Sequence, residues 1–394
     1  MVPKGWLQAP LASLSSKKIS YGIVQTGDNL PNGIPCLRVA DLPNADIAKM
    51  IRTSPAINLA YTRTVLQKED IVVALRGEIG LASMVTEEWA GFNITRGIAR
   101  ISPKKDQILP EFLLWELRSP RLRSDLLRRA GGSALQEISI GELRSVITMI
   151  PPVIEQKKIV EILSTWDQAI VFTEQFLMNC KQQKKALMQQ LLTGNKRLSG
   201  FSKNWEYQSL GDWLVEYKEN SGHNNQHEVL TSSRNGLIRQ SDYFKEGRIT
   251  NRDNQGFNII PPGYITYRSR SDDGLFTFNQ NNLGITGVIS TYYPVFNFPK
   301  GDQDFFINLL LFKEKIFDAH SVGTSQKVLS INSLKSIKFK IPCVDEQKKI
   351  AAILSTADRE IEAMQQKLYY LKQEKKALMQ QLLTGKRRVK VEAA

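Results

Sequence analysis

The sequence predicts an α+β fold in which two α/β domains are joined by two long helices that form an antiparallel coiled coil with pseudo-two-fold symmetry. The first observation is a repeat, because the segment that begins Ile150-Pro151 recurs without a gap at Ile341-Pro342, 191 residues later. The second is a heptad pattern of apolar residues within both copies. The third is that the segments before the two copies share little sequence. One scaffold therefore carries two different surfaces.

Each copy of the repeat carries the signals of a long helix with both ends marked. Proline precedes the start at Pro152 and Pro342, and Gly194 and Gly385 stand where a glycine ends a helix. The interior lacks proline and glycine and is rich in Lys, Gln, Ala, Leu and Met, which are strong helix formers. The pattern predicts two helices of about 39 residues, each about 58 Å long at 1.5 Å per residue.

Apolar residues alternate at spacings of four and three along both helices, which is the pattern of a coiled-coil seam. The seam positions are Ile159, Leu163, Trp166, Ile170, Thr173, Leu177, Cys180, Lys184, Leu187 and Leu191, then Ile350, Leu354, Ala357, Ile361, Met364, Leu368, Leu371, Lys375, Leu378 and Leu382. Because a whole domain separates the helices, an antiparallel pair within one chain is favoured; a parallel coiled coil between two chains is the alternative. Lys184 and Lys375 occupy the same seam position, which predicts that they set register and orientation.

Both helices also carry apolar residues outside the seam, for example Phe172 in the first helix. On a long helix a second apolar stripe usually packs against further protein. We interpret the stripe as a partner-binding surface; the alternative is that the chain's own domains cover it. The predicted partner-binding residues are Ile162, Phe176, Met188, Leu192, Ile353, Met379 and Leu383.

The segments before the helices have mixed α/β patterns and begin alike, at Trp6 and Trp205. Runs of β-branched and aromatic residues predict strands at 70–75, 81–85, 264–267 and 287–291. A helix is predicted late in each segment, over 110–130 and 302–320. The Ile-Thr pair at 94–95 recurs at 285–286 with the same offset, which predicts that the two domains share a fold.

The composition points to a negatively charged partner. The net charge of +14 and the pI near 9.5 favour nucleic acid. The cysteines, Cys36, Cys180 and Cys343, are too far apart for a CxxC metal site or a disulfide framework, so a cytoplasmic location is expected. No apolar run approaches the roughly eighteen residues that a membrane-spanning helix requires.

The sequence shows no arrangement of residues typical of an enzyme. Glu155-Gln156-Lys157 and Glu346-Gln347-Lys348 spell the Glu-x-Lys of a nuclease, but they lie in a helix first turn, where acidic residues offset the helix dipole. The 260–264 loop has the prolines of an amino-methyltransferase loop without its Asn or Asp. His223 and His227 lie four apart in an Asn-rich polar stretch that lacks the constellation of acids or cysteines typical of a metal site. We therefore predict no catalytic residue, metal or cofactor in this chain; an enzyme with an unrecognised motif is the alternative.

The helical repeats resemble the conserved regions of the DNA specificity (S) subunit of type I restriction–modification systems. The resemblance rests on helices that open with Pro-x-x-x-Glu-Gln-x-x-Ile and close at Leu-Leu-Thr-Gly, and on the Asp-Ile-Val-x-x-x-Arg-Gly-x-Ile-Gly stretch at 70–80. The second domain departs from that stretch, since 262–268 reads Pro-Gly-Tyr-Ile-Thr-Tyr-Arg. The resemblance implies target-recognition domain 1 (1–149), conserved helical region 1 (150–194), target-recognition domain 2 (195–340), conserved helical region 2 (341–386) and a basic C-terminal tail (387–394).

The same resemblance implies a function in recognising double-stranded DNA. Each domain would read one half of a bipartite site, while the coiled coil would set the spacer and dock two methyltransferase (M) subunits. Restriction (R) subunits would join through the M subunits. S-adenosylmethionine is then expected in the M subunits, and ATP and Mg in the R subunits. The alternative is a DNA-binding regulator or architectural protein that dimerises through its own coiled coil.

Base edges are read by Arg, Lys, Asn, Gln, Ser and Thr side chains on loops, while other cations neutralise phosphates. The candidate DNA-binding residues are Lys17, Lys18, Arg38, Arg76, Thr95 and Arg96 in the first domain, and Arg234, Asn235, Arg239, Arg268, Ser269, Arg270 and Asn279 in the second. The basic turns at 195–197 and 386–388 are either phosphate contacts or charges that complement the helix C-termini.

Overall fold

The computed structural model describes residues 2–132, 136–234, 236–243 and 253–390. The chain forms two compact units, the first of residues 1–174 and 367–394 and the second of residues 175–366. Each unit combines one α/β segment with parts of both long helices. The helices are α1 Pro55–Ala60, α2 Pro110–Arg118, α3 Pro120–Arg129, α4 Ile140–Ser145, α5 Val153–Leu191, α6 Gln240–Tyr243, α7 Gln303–Phe312, α8 Ile316–Ala319, α9 Ile331–Ser336 and α10 Val344–Leu382.

The first unit is built on three small sheets. A four-stranded antiparallel sheet has the order β2-β8-β5-β6, a three-stranded sheet has the order β4-β3-β7, and β1 pairs with β9. Every residue of β5 and β8 is buried; β5 is entirely apolar, whereas β8 includes Arg100, whose Nη1 donates to the Val65 carbonyl. The strands are β1 Leu7–Pro10, β2 Ser20–Tyr21, β3 Ile34–Leu37, β4 Ile51–Thr53, β5 Ile71–Ala74, β6 Ala82–Met84, β7 Asn93–Ile94, β8 Ile98–Ile101 and β9 Ile147–Ile150.

The second unit repeats this topology. The sheet β11-β19-β15-β17 corresponds to β2-β8-β5-β6, the parallel pair β12–β18 corresponds to β3–β7, and β10 pairs with β21 as β1 does with β9. The predicted shared fold and the four strand predictions are confirmed. The strands are β10 Glu206–Ser209, β11 Val215–Tyr217, β12 Glu228–Ser233, β13 Gly236–Arg239, β14 Asn258–Ile260, β15 Ile265–Tyr267, β16 Arg270–Ser271, β17 Phe278–Gln280, β18 Gly287–Ile289, β19 Val295–Asn297, β20 Lys327–Val328 and β21 Lys338–Ile341.

The helices predicted over 110–130 and 302–320 are each broken in two. Pro120 has no amide hydrogen and disfavours a helical residue before it, so α2 ends and α3 starts afresh with Ser119 as its N-cap. The Ser119 hydroxyl accepts a hydrogen bond from the Leu122 amide. In the second unit a turn at 313–315 separates α7 from α8 and returns Phe317 to the core, where it is fully buried. Both continuous helices were therefore wrong predictions.

The long helices α5 and α10 each span 39 residues, as predicted. Gly194 and Gly385 follow their ends with φ of +73° and +67°, a conformation that glycine adopts without strain. All twenty seam positions are buried or half-buried, which confirms the heptad assignment. Within the described residues, none of the helices combines the length and apolarity needed to cross a membrane.

The two helices pair antiparallel in both units. In the first unit Asp167 of α5 binds Lys375 of α10, and Glu174 further along α5 binds Lys372, which lies earlier in α10. In the second unit Lys184 binds Asp358. The pairs Lys184–Asp358 and Asp167–Lys375 are the same interaction in the two copies of the repeat. The predicted antiparallel, intramolecular seam is confirmed in each unit, and the seam lysines bind acids of the opposite helix.

The off-seam stripe contacts the chain's own cores. Ile162, Met379 and Leu383 pack in the apolar core of the first unit. Met188, Leu192 and Ile353 pack in that of the second. Burial corrects the partner-binding assignment of Leu192, Met379 and Leu383, whereas Ile162, Met188 and Ile353 are half-buried and remain predicted partner-binding residues. Phe176 differs, since 56% of its surface is exposed, and Phe172 is also exposed.

One fully buried carboxyl, Glu116 of α2, lies in the first unit beside Arg121. Arg121 Nη2 donates to Glu116 Oε2 over 2.9 Å, while Glu116 Oε1 and Arg121 Nε have no hydrogen-bond partner among the described residues. Burial raises the pKa of Glu116 to about 7, against the opposing effect of Arg121. Between pH 4.5, the ordinary pKa, and about pH 7, the folded chain therefore keeps a proton on Glu116 that the unfolded chain has already released.

Glu116→Gln is expected to reduce the pH dependence of stability. Because the native state binds the extra proton, the free energy of unfolding of the parent chain should fall as pH rises from about 4.5 to 7, by on the order of 2 kcal/mol. Urea unfolding of both chains at pH 5 and pH 7.5 measures this difference. Glu111→Gln, a half-exposed position of the same helix, is the matched control. Equal pH slopes for the Glu116 variant and the parent would contradict the assignment.

Candidate nucleic-acid interface

The first unit presents a cleft of about 500 Å³ formed by loops that follow four strands. Arg38 follows β3 and Thr95 follows β7. Because these two strands run parallel, their carboxyl ends meet at one edge and bring the two loops together. Arg76 follows β5 and completes the cleft from the neighbouring sheet. The cleft thus gathers four of the six residues predicted for the first domain, Arg38, Arg76, Thr95 and Arg96.

Arg38 is held by Asp41 in a two-bond ion pair. Its Nε and Nη2 donate to Asp41 Oδ2 and Oδ1 over 3.1 and 2.9 Å, and its backbone amide also donates to Oδ2. The hydrogen bonds with Asp41 raise the pKa of Arg38 above its ordinary value. The Nε side of the Arg38 guanidinium is therefore held within the protein, while its Nη1 group has no acceptor among the described residues.

Thr95 and Arg96 are anchored through hydrogen bonds within the protein. The Thr95 hydroxyl donates to the Leu37 carbonyl over 3.1 Å, and the Arg96 amide donates to the Ile23 carbonyl over 2.8 Å. The side chain of Arg96 is exposed, whereas that of Arg76 is half-buried. Among the described residues, neither guanidinium has a hydrogen-bond acceptor. Two of the three arginines of the cleft are therefore available to a ligand.

Lys17 and Lys18 precede β2 and are exposed. Lys17 Nζ donates to Gln67 Oε1 over 2.7 Å. Neither lysine is among the residues that line the cleft. The structure thus does not bring them together with the arginines of the cleft, and their contact with DNA stays a prediction.

The second unit presents a cleft of about 620 Å³ at the corresponding place. Arg234 follows β12, as Arg38 follows β3, and Arg268 follows β15, as Arg76 follows β5. Arg234 forms an ion pair with Asp273. Hydrogen bonds from Ser271, the Leu275 amide and Arg234 lower the pKa of Asp273. Each cleft therefore has one arginine paired with an acid of its own unit.

Arg268 and Arg270 complete the arginines of the second cleft. Arg270 lies over the Tyr292 ring, 4.5 Å from its centroid, where cation–π attraction holds it. Arg268 is exposed, and within the described part of the chain it has no acceptor for its guanidinium. Asp272, whose carboxylate accepts a hydrogen bond from Gln326, also lines this cleft. The second cleft thus offers acceptors as well as donors, unlike the first.

Three other predicted residues of the second domain have roles within the fold. Asn279 is buried and donates to Ser232 Oγ and the Ser233 carbonyl over 2.7 and 2.8 Å, so it holds β17 to β12 and is not available to DNA. Ser269 donates to the Tyr292 carbonyl, and Arg239 forms a 3.5 Å ion pair with Glu228, outside the cleft lining. Asn235 lies outside the described residues. Burial corrects the assignment of Asn279, whereas Ser269 and Arg239 keep accessible surface and remain predicted DNA-binding residues.

The basic turns after the long helices are engaged by buried glutamates. Arg197 donates from Nε and Nη2 to Glu346, and Trp205 Nε1 donates to the same carboxylate over 3.0 Å. In the first unit Arg388 and Trp6 bind Glu155 in the same way. We name these two Arg–Glu–Trp clusters the clamps. Arg197 and Arg388 therefore stabilise the fold, and their proposed phosphate contacts are not supported.

Sequence reasoning missed residues that shape the clefts. In the first cleft, the side chains of Arg76 and Val39 both lie close to the α-carbon of Gly97. In the second, Ser232 and Asp272 line the wall beside the arginines. Gly97 directly follows Thr95 and Arg96, which the sequence predicts as DNA-binding residues, so its position in the chain was a signal. Only the packing shows that the absence of a side chain at Gly97 leaves room for Arg76.

Comparison with known sequences supports this division into two similar units. The chain matches the sequence profile described as type I restriction modification DNA specificity domain twice, over residues 22–179 and 202–373. The specificity subunit of type I restriction enzyme EcoBI from Escherichia coli is 32% identical over 164 residues, which is 41% of this chain and 34% of that subunit. That match thus spans about a third of the relative. The MjaVIII specificity subunit from Methanocaldococcus jannaschii is 25% identical over 319 residues, 73% of this chain and 72% of the relative.

Solved structures share the fold along the whole chain. The HsdS subunit from Thermoanaerobacter tengcongensis has a TM-score of 0.52 at 16% identity, with 98% of both chains covered. The S subunit from M. genitalium has a TM-score of 0.55 at 15% identity, covering 97% of this chain and 99% of that one. These likenesses confirm the predicted α+β fold. Because the specificity-domain profile covers most of the chain in two copies, this chain belongs to the family of type I restriction–modification DNA specificity subunits.

Proposed function

We propose that this chain reads a bipartite sequence in double-stranded DNA, with one half-site recognised by each unit. The observation that carries this proposal is the pair of clefts at equivalent places in two units of the same topology. Each cleft has an arginine that is paired within the protein and an arginine that is not. Arginine is the side chain that most often makes specific contacts with base edges.

The different lining of the clefts supports two different half-sites. The first cleft offers arginine donors, and none of the described residues that line it carries a carboxylate. The second adds Asp272 and Asp273. Carboxylates accept hydrogen bonds from the cytosine amino group, whereas guanidinium groups donate to guanine. Two readers with different donor and acceptor patterns suit an asymmetric site.

We further propose that the chain is not itself catalytic and acts with partner subunits in the cytoplasm. The antiparallel helices would set the spacer and dock two methyltransferase subunits, through which restriction subunits join. S-adenosylmethionine would then be bound by the methyltransferase, and ATP and Mg by the restriction subunit. Of the predicted partner-binding residues, Phe176 is exposed and Ile162, Met188 and Ile353 are half-buried, so these four keep surface that a partner could contact.

Mapping of methylated bases tests this proposal. The chain would be co-expressed with its methyltransferase subunits in a host that lacks other methylation, and genomic methylation would be read at single-base resolution. We expect one bipartite motif with two specified halves and an unspecified gap, absent when this chain is omitted. A contiguous motif, or methylation that does not require the chain, would overturn the proposal.

The paired helices are expected to act as a ruler for the gap. Seven residues inserted between Leu177 and Lys184, and seven between Leu368 and Lys375, keep the seam in phase. The helices lengthen by about 10 Å at 1.5 Å per residue, against about 3.4 Å per base pair. The gap in the methylated motif should grow by about one to three base pairs while both halves stay the same.

The control is an insertion of seven residues after Gly200. This glycine lies in an exposed loop, where an added Cβ would have no contact within 4 Å among the described residues. Arg197 and Trp205 flank this loop and both bind Glu346, so the ends of the loop should stay in place when residues are added. The gap in the methylated motif should therefore be unchanged. Changed half-sites with an unchanged gap in the helix-insertion variant would show that the helices hold partners without measuring DNA.

A further inference from the structure

In the first cleft, Arg76 is half-buried and its guanidinium has no partner among the described residues. We propose that Arg76 reads a guanine in the half-site of the first unit, and that Gly97 is the positioning residue that aims it. This inference rests on the proposed function, because it names the base that one of the two clefts recognises. It follows from the availability of Arg76, its support by the surrounding backbone and the chemistry of the cleft.

Availability separates the three arginines of the cleft. Asp41 binds Arg38 through Nε and Nη2, so only the Nη1 side of that guanidinium remains for a ligand. Arg96 is available but exposed, and its guanidinium has no acceptor in the described part of the chain. A flexible exposed cation of this kind suits a phosphate. Arg76 is the half-buried arginine of this cleft whose guanidinium has no partner in the described part of the chain.

The backbone around Arg76 fixes its direction. Arg76 forms an antiparallel bridge with Glu137, and the amide of the preceding Leu75 donates to the Gly97 carbonyl over 2.8 Å. A Cβ atom on Gly97 would lie 3.0 Å from Arg76 Nε and 3.5 Å from its Cγ. The same atom would lie 3.1 Å from Val39 Cγ2. The arginine stem therefore runs across the α-carbon of Gly97, and little rotamer entropy remains to be lost on binding.

The chemistry of the cleft favours guanine. Five N–H groups and no acceptor make a guanidinium complementary to the O6 and N7 acceptors that guanine presents in the major groove. The Thr95 hydroxyl already donates to the Leu37 carbonyl, and the described lining adds apolar side chains such as Val24, Val39 and Ile51. A cytosine amino group would meet no carboxylate there. The base opposite Arg76 is therefore an acceptor-rich one.

Gly97 allows the positioning role to be tested without damage to the backbone. Its φ lies outside the left-handed region, so other residues can adopt its conformation. An added methyl group would press on the end of the Arg76 side chain, which can move. Gly22 is a contrast, because a Cβ there would lie 1.8 Å from the carbonyl oxygen of Ile94. Gly97→Ala and Gly97→Val should thus fold and displace the guanidinium by increasing amounts.

The test is selection of randomised DNA duplexes by the complex of this chain with its methyltransferase subunits, followed by sequencing of the bound fraction. We expect the parent complex to enrich a bipartite motif with a G·C pair in the first half-site. Arg76→Ala should reduce the preference at that pair by about 10- to 100-fold and leave the other positions unchanged. Gly97→Ala should reduce it less, and Gly97→Val more.

Arg96→Ala is the matched control from the same cleft. It should weaken binding to all sequences about equally and reduce the salt slope by about one. Thermal unfolding of each variant shows whether it is folded; if Gly97→Val unfolds, Gly97→Ala carries the test. Uniform weakening by Arg76→Ala overturns the reading role, and unchanged preference in folded Gly97 variants overturns the positioning role. A parent complex that enriches no bipartite motif overturns the proposed function itself.

Discussion

Leu383→Ala or Leu192→Ala is expected to lower the free energy of unfolding of the free chain by about 2–5 kcal/mol. Leu383 is 1% exposed in the core of the first unit, and Leu192 is 2% exposed in that of the second. Truncation removes buried methyl groups and leaves a cavity that close-packed neighbours fill only in part. Urea unfolding of the isolated chain, without methyltransferase subunits, measures the loss.

This expectation follows from the burial of Leu383 and Leu192, which the sequence had suggested as partner-binding residues. Phe176→Ala is the matched control, because Phe176 lies on the same helix as Leu192 and is exposed. It should change the stability of the free chain by no more than about 0.5 kcal/mol. Normal stability of both leucine variants, together with loss of methyltransferase association, would restore the partner interpretation.

Glu346→Ala is expected to destabilise the second unit by about 3 kcal/mol. The variant leaves Arg197 without its carboxylate partner and the half-buried Trp205 without the acceptor of its indole N–H. The value lies at the low end for a buried ion pair because the Arg197 side chain is 26% exposed and water can solvate it. Glu155→Ala should cost less in the first unit, since Arg388 is 41% exposed.

Unfolding of these variants should be compared with that of Glu161→Ala. Glu161 forms an exposed ion pair with Lys158 on α5, and such pairs contribute at most about 1 kcal/mol. Glu346→Gln retains an oxygen that can accept from Trp205, so an intermediate loss is expected. If Glu346→Ala is as stable as the parent chain, the desolvation of the carboxylate offsets its bonds and the clamp contributes no net stability.

The sequence predicted that the candidate site contains loop arginines, but it could not predict which residues belong to the site. Loop arginines in a basic chain indicate DNA contacts, and Arg76 and Arg268 do lie in clefts at equivalent places. The sequence could not show that Arg76 is half-buried beside Gly97, because that contact joins two segments about twenty residues apart. It also could not show that Asn279 is buried and links β17 to β12 through a hydrogen bond to Ser232. Which polar groups are satisfied within the protein depends on contacts between distant segments.

The sequence by itself determined the repeat, the two long helices with both of their ends, the antiparallel seam and the shared α/β topology. These features depend on local signals, namely heptad periodicity, proline and glycine at helix ends, and a repeated register. Only the tertiary structure decided which apolar residues are covered, which arginines remain available and why Glu155 and Glu346 are buried. In the first clamp, Glu155 binds Trp6 and Arg388, which lie 149 and 233 residues away in the chain. Such contacts leave no periodic trace in the sequence, because burial and pairing are set by the packing of distant segments.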